Sequence, residues 1–290
     1  MRDIELTLTY RPPLAAGRLL SFLAARAVPG VEHVDDATYR RSVRTAGGGG
    51  ALLELTPEPD EGIVRLRAVG VGADVPHPDG LVEASRRLLD LDAHPSEIDG
   101  ALSADPILAP LVAAAPGTRL PGAVDGFELA VRAIAGQQVS VAGARTTLGR
   151  IVTRLGTPLG APAGPISWLF PTPGTVAAAS PTDLGMPGSR AAAIRELAQR
   201  VRDGELDLSG SADPEAAVAG LSSIPGVGPW TVGYIGMRAL RDPDAFPSGD
   251  LGVRHGIAAL GLPDDARSIA TLTERWRPWR AYAAIHLWQL

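Results

Sequence analysis

The hydrophobic period of this chain changes about a third of the way along it, and that change limits the fold more than any single motif. The segment DIELTLTY alternates, placing Ile4, Leu6, Leu8 and Tyr10 on one face of a half-buried strand. Further strand-like runs lie at 39–45, 51–56 and 63–69. Between the first two strands, LAAGRLLSFLAARA sets Leu19, Phe22, Leu23 and Arg26 at helical spacing, and a second amphipathic run follows at 81–91. Strand, helix, strands, helix predicts a small α+β domain on an antiparallel sheet, ending near residue 101. Gly47, Gly48, Gly49 and Gly50 read as a flexible hairpin loop and not as a phosphate cradle, because no helix follows them.

Beyond residue 101 a period of 3.6 takes over. Val141, Ala144, Leu148, Ile151 and Leu155 keep one face of 141–155 apolar. Helices are also expected at 127–135, 175–179, 189–202, 214–222, 229–240, 250–259 and from 269 to the end. No strand is expected in this part, and the Pro- and Gly-rich stretch 156–165 reads as a loop. At 290 residues and 45% apolar, the chain is long enough for about two domains with a real core. It has no long apolar run, and Met1 is followed by charged Arg2 and Asp3, so neither membrane span nor leader is expected and a cytoplasmic location is the default.

Two absences exclude whole classes of chemistry. Without Cys there are no disulfides, thiolate metal sites, iron–sulfur clusters or thiol nucleophiles. Without Lys, all 27 basic residues are Arg, and the only primary amine for Schiff-base chemistry is the chain terminus. The net charge of −5 argues mildly against a nucleic-acid partner. Charge is uneven, however: Arg119, Arg132, Arg145, Arg150 and Arg154 face only Asp125 and Glu128 between 119 and 155. A solvated helix face explains that excess equally well.

The most informative run is LSSIPGVGPWTVGYIGMRAL. Asp213 with Pro214 starts a helix that stops at Ile224-Pro225; Gly226 and Gly228 allow a tight turn, and Pro229 opens the next helix. Backbone N–H groups at a helix start, with no bulky side chain before them, suit a DNA phosphate and need no basic residue. Gly and Pro also punctuate any plain helix corner. About ten residues after IPGVGPWTVGY comes FPSGDLGVRHGI, in which Asp250 precedes a helix; a simple N-cap would account for an isolated Asp there.

Taken together, IPGVGPWTVGY and FPSGDLGVRHGI resemble the helix-hairpin-helix, Gly/Pro-rich loop and aspartate signature of the DNA glycosylase superfamily. SFLAARAV, RLPGAVDGFELAVRAIAGQQVSVAGA, FPTP, LGMPGSRAAAI and ERWRPWRAYAAIHLW extend the likeness over nearly the whole chain, to the 3-methyladenine DNA glycosylase II family of the AlkA type. The resemblance implies an α+β fold class: a TBP-like α+β domain (1–101), a central helical domain with the hairpin (126–242), and a second helical domain (102–125 with 243–290) carrying the catalytic Asp. The cleft would lie between the helical domains.

The same resemblance implies roles. Asp250 would be the catalytic carboxylate; Trp230, Tyr234, Trp288, Phe22, Arg26 and Leu251 would form the base pocket, where aromatic faces suit a cationic base. Gly226, Val227, Gly228, Ser222 and Ile224 would meet DNA, with a monovalent cation on the carbonyls of Ser222, Ile224 and Val227. Gln138 stands at the wedge position, apolar in the family, and Leu251 where some relatives have an aromatic. Trp276 and Trp279 read as structural. The expected activity is excision of alkylated bases, 3-methyladenine and 7-methylguanine among them, from double-stranded DNA. It would be carried out by a monomer with no cofactor and no membrane partner. A bifunctional glycosylase/lyase would need a Lys where Trp230 stands, and an iron–sulfur relative four Cys. Some relatives carry a fused methyl-transfer sensor, which requires Cys. A noncatalytic helix-hairpin-helix DNA-binding protein is the competing class.

Overall fold

The structure, a computed structural model, describes residues 3–35, 37–45, 47–71 and 77–290. Its first part is a five-stranded antiparallel sheet of β1 (Asp3–Thr9), β2 (Glu32–Val34), β3 (Tyr39–Arg44), β4 (Gly50–Glu58) and β5 (Ile63–Val71), in spatial order β1-β5-β4-β3-β2. Register follows the alternation. Leu6, Leu66, Leu55 and Tyr39 stand opposite one another across four strands on the core side. On the other face, Glu54 is flanked by Arg40 at 3.0 Å and Arg67 at 3.3 Å, so the solvent side is laced with opposite charges. The helix α1 (Ala16–Arg26) lays Leu19, Leu20, Phe22 and Leu23 onto the core.

The remaining helices are α2 (Pro78–Leu89), α3 (Pro95–Ser103), α4 (Ala109–Ala114), α5 (Gly126–Ala135), α6 (Val141–Leu155), α7 (Pro173–Ala178), α8 (Pro181–Leu184), α9 (Gly188–Arg202), α10 (Pro214–Ser222), α11 (Pro229–Arg238), α12 (Leu251–Ala259), α13 (Ala266–Thr273) and α14 (Arg280–Leu287). Local capping explains many of the starts. The side chains of Asp125, Ser140, Asp213, Asp250 and Asp265 each accept a backbone N–H of the helix they precede.

The structure corrects the sequence reading in two places. The stretch 156–165 is not a loop: β6 (Thr157–Ala163) and β7 (Ile166–Leu169) form an antiparallel hairpin. Its prolines are tolerated because the register shifts between Pro158 and Ala163, and Leu159, Ile166 and Leu169 pack on Leu52 and Val71 of the larger sheet. The last helical run is interrupted by a 3₁₀ turn, Glu274–Trp276, where the buried Trp276 indole donates to Asp105 at 3.0 Å. Trp276 is thus a structural anchor.

Two large apolar cores form among the described residues, besides the small cluster under the hairpin. One joins the sheet and α1–α4 to the C-terminal helices, with Leu55, Ile98, Trp276 and Ile285 inside; the other gathers α5–α11 with Val28 and Val31. Between them runs a buried ion network. Arg41 donates to Glu128 at 2.6 Å, Arg132 to Glu128 at 2.9 Å and also to Glu32, and the Tyr39 hydroxyl donates to Glu32 at 2.5 Å. Burial alone would raise the Glu32 carboxyl, but the guanidiniums of Arg132 and Arg41 and the Tyr39 hydroxyl outweigh it and hold it at about 2. The basic excess between 119 and 155 is therefore not one exposed patch: Arg132 belongs to this network, and Arg119 is buried against the carbonyls of Arg11 and Pro13.

Candidate active site

A single helix face supplies the spine of the site. On α11, Trp230, Tyr234 and Arg238 recur every four residues, so all three point the same way. The Trp230 and Tyr234 rings stack at 5.5 Å; Tyr234 meets Trp288 at 6.0 Å, and Trp288 stacks on Phe22 at 6.0 Å. Phe22 comes from α1 and Trp288 from the end of α14, so this chain of rings bridges the two cores. It borders an open cleft of about 1310 Å³.

Asp250 stands at the cleft as the N-cap of α12. The turn before it closes through the Asp250 N–H to the Pro247 carbonyl at 3.0 Å. Capping uses one oxygen: Oδ1 accepts the Val253 N–H at 2.9 Å. The side chain does more than cap, because Trp288 Nε1–H donates to Oδ1 at 2.7 Å and Trp230 Nε1–H donates to Oδ2 at 2.7 Å. Two indoles from different helices thus clamp one half-buried carboxylate, and Oδ2 keeps an acceptor position. Gly252 makes the clamp possible, since a β-carbon there would stand 2.7 Å from the Trp288 ring.

Arg26 and Arg238 bring positive charge to the rings. Arg26 Cζ lies 3.8 Å from the Phe22 centroid and 5.7 Å from that of Trp288, and Arg238 Cζ lies 4.9 Å from Phe22 and 5.4 Å from Tyr234. Arg238 is buried and fixed, donating to the Pro121 carbonyl at 2.7 Å, the Gly122 carbonyl at 3.0 Å and the Tyr234 hydroxyl at 2.7 Å. Burial would push the Tyr234 phenol up, but Arg238 and Arg26 hold it below its usual value.

The hairpin borders the same cleft. Gly226 turns the chain at φ 89°, and Gly228 caps α11 in an extended conformation. Ile224 and Val227 bury their side chains in the second core, while Ser222, Gly226 and Pro229 are exposed. The Ile224 carbonyl accepts the Val227 N–H at 3.0 Å. The Ser222 and Val227 carbonyls meet no donor among the described residues.

Gln138 lies in the turn between α5 and α6 with φ 57°, exposed at the cleft, beside Val139 and Val141, which are also exposed. Leu251 lines the cleft and is 63% exposed. The structure thus brings Arg26, Gln138, Gly226, Gly228, Trp230, Tyr234, Asp250, Leu251 and Trp288 to one cleft; Phe22 is buried behind it against Trp288 and Arg26, Ser222 and Val227 line a separate hollow behind the hairpin turn, and Ile224 is buried.

Three contributors escaped the sequence reading. Gln137 donates to the Gly226 carbonyl and to Thr231 Oγ1, both at 2.9 Å, and so ties the α5–α6 turn to the hairpin. Gly252 carries no sequence signal of its own. Arg238 does, at one helical turn beyond Tyr234.

Residues 5–125 match the family model of the AlkA N-terminal domain, and residues 131–281 match the HhH-GPD superfamily base excision DNA repair protein model. A Mycobacterium tuberculosis protein described as "Probable bifunctional transcriptional activator/DNA repair enzyme AlkA" is 43% identical over 98% of this chain and 56% of its own length, so the chain spans about half of that relative. The Escherichia coli DNA-3-methyladenine glycosylase 2 is 38% identical over 97% of this chain and 96% of its own length. Among solved structures, the 3-methyladenine DNA glycosylase from Archaeoglobus fulgidus superposes with a TM-score of 0.82 at 23% identity, over 100% of this chain and 98% of that one; this likeness speaks to the fold. With a matching domain model for each part of the chain and a relative matched along nearly its full length, this chain belongs to the HhH-GPD superfamily of base excision DNA repair proteins, in the AlkA branch.

Proposed function

We propose that this protein is a monofunctional DNA glycosylase that flips alkylated bases, 3-methyladenine and 7-methylguanine among them, out of duplex DNA and hydrolyses the N-glycosidic bond. The observation that carries this reading is the Asp250 carboxylate, clamped between the indole N–H groups of Trp230 and Trp288 at the edge of an aromatic cleft. An N-cap alone needs neither indole. A fixed carboxylate in such a cleft stabilises the oxocarbenium-like sugar that forms as the base departs. Alkylation at a purine ring nitrogen makes the base a good leaving group, so water can complete the reaction at the sugar.

The DNA contacts fall to the hairpin. The N–H groups of Gly226 and Gly228 meet no acceptor among the described residues and are aimed at a phosphate, with a monovalent cation on the carbonyls of Ser222, Ile224 and Val227 behind them. Gln138 enters the space left by the flipped nucleotide, Leu251 and the rings of Phe22, Trp230, Tyr234 and Trp288 surround the extruded base, and the protein works as a monomer in the cytoplasm. The absence of Lys supports hydrolysis without strand cleavage.

The test is a duplex with one alkylated base. Free base should be released, with a nick appearing only after alkali and no protein–DNA adduct trapped by borohydride. Tight binding with no base released would favour a noncatalytic DNA-binding module instead.

A further inference from the structure

We infer that Arg26 is a specificity residue, which favours neutral base lesions, leaving as anions, over cationic alkylated ones. The inference rests on the reading of this cleft as a base-excision site and adds to it the substrate class its charge selects.

The cleft has two poles. At one, Asp250 faces the place of the sugar. Along the rings, on the base side, stand Arg26 and Arg238, and among the described residues neither has a carboxylate within ion-pair distance. This is unusual for the neighbourhood, because Arg41 and Arg132, close by, are fully ion-paired. Arg238 spends its donors on two carbonyls and the Tyr234 hydroxyl. Arg26 spends fewer: it shares a hydrogen bond with the Tyr234 side chain and makes a long contact of 3.4 Å to the Phe22 carbonyl, and its guanidinium lines the cleft. Burial holds that guanidinium below its usual range and the neighbouring Arg238 adds to the cost, while Tyr234 and, more weakly, Asp250 offset part of it. A partly buried cation that lines a binding cleft and has no carboxylate within ion-pair distance among the described residues suits an anionic partner that arrives with the substrate.

The chemistry of the broken bond says what that partner is. When the N-glycosidic bond breaks, its electron pair stays on the base, and water adds at the sugar carbon and gives its proton to solvent. A base carrying a positive charge from alkylation departs neutral and gains nothing from a nearby guanidinium. A neutral lesion with a ring carbonyl, such as hypoxanthine, departs with negative charge spread onto that carbonyl. A forked guanidinium is suited to receive it. The faces of Phe22, Tyr234 and Trp288, already under guanidiniums, are correspondingly less available to a cationic base.

The experiment compares single-turnover release of hypoxanthine and of 7-methylguanine from duplexes of otherwise identical sequence, for the wild type, Arg26→Met and Arg26→Lys. Losing a preorganised charge costs about 100-fold in rate, so Arg26→Met should slow hypoxanthine release by that order and shift the ratio of the two rates at least about tenfold against it. Arg26→Lys keeps the charge without the fork and should recover most of the ratio. If Arg26→Met does not fold, Arg26→Gln is read by the same ratio. An unchanged ratio, including equal slowing of both substrates, would overturn the inference and leave Arg26 a structural support of the rings. Failure of the wild type to release either base would sink the reading of the cleft itself.

Discussion

At the scale of single residues, the site is organised by what donates to Asp250 and by where Gln138 is held. The cap occupies only Oδ1 of Asp250, and Oδ2 receives the Trp230 indole instead of the helix backbone. Gln138 is held by backbone as much as by sequence: φ 57° is uncommon for a residue other than Gly, Asn or Asp, and here it lifts an amide side chain out of the α5–α6 turn. An amide there can both fill a gap in the base stack and hydrogen-bond the unpaired partner base. Gln138→Ala should lower affinity for a duplex containing an abasic-site analogue while leaving the melting temperature nearly unchanged; equal affinity, measured by fluorescence anisotropy, would remove Gln138 from the DNA contact. The identities of these residues were legible in the sequence because motifs carry them. The indole clamp was not, since Trp288 lies 38 residues from Asp250 and only the packing of α14 against α12 brings them together.

At the scale of elements, the hairpin and α14 make separate predictions. A β-carbon at Gly228 meets nothing within 4 Å, and its extended backbone suits any residue. Gly228→Val should therefore fold, yet place a branched side chain in front of the hairpin N–H groups proposed to meet a phosphate. Affinity for damaged and undamaged duplexes should fall by the same factor, as expected for a backbone contact without sequence content; unchanged affinity in a folded variant would make the hairpin a mere corner. On α14, His286 is buried with Nδ1 unpartnered, and burial, helped by the charge of Arg18, holds its imidazole at about 4. The unfolded chain thus binds more protons between pH 6.5 and about 4, and stability is lost as pH falls through that window, by up to about 3 kcal/mol. His286→Leu should flatten the dependence of melting temperature on pH there; parallel profiles for the two proteins would contradict it. Element types were mostly readable from period and caps. Part of what was missed has a physical cause: β6 and β7 are stabilised by packing on the larger sheet despite Pro158 and Pro162, α8 has only four residues, and β2 has only three.

At the scale of the whole molecule, two cores meet along a buried ion network and a chain of aromatic rings, and the cleft lies at that junction. Phe22 and Trp288 pack with one core and Tyr234 with the other, so the site exists only when both are assembled. The change of hydrophobic period announced a sheet followed by helices, but not that the C-terminal helices return to share a core with the sheet; that contact spans most of the chain and leaves no local trace. Positive charge at the cleft was likewise hidden from composition, since a net charge of −5 says nothing of two guanidiniums that, among the described residues, have no carboxylate within ion-pair distance. The central claim is that this assembly excises bases through the Asp250 carboxylate. Its most direct test is chromatography of the bases released from methylated duplex DNA by the wild type and by Asp250→Asn, which keeps the size and much of the cap but loses the charge. The account predicts free 3-methyladenine from the wild type and at least about a 100-fold slower release from the variant, with DNA affinity and melting temperature close to the wild type. Release at the wild-type rate from a folded Asp250→Asn would contradict it and leave Asp250 as a helix cap alone.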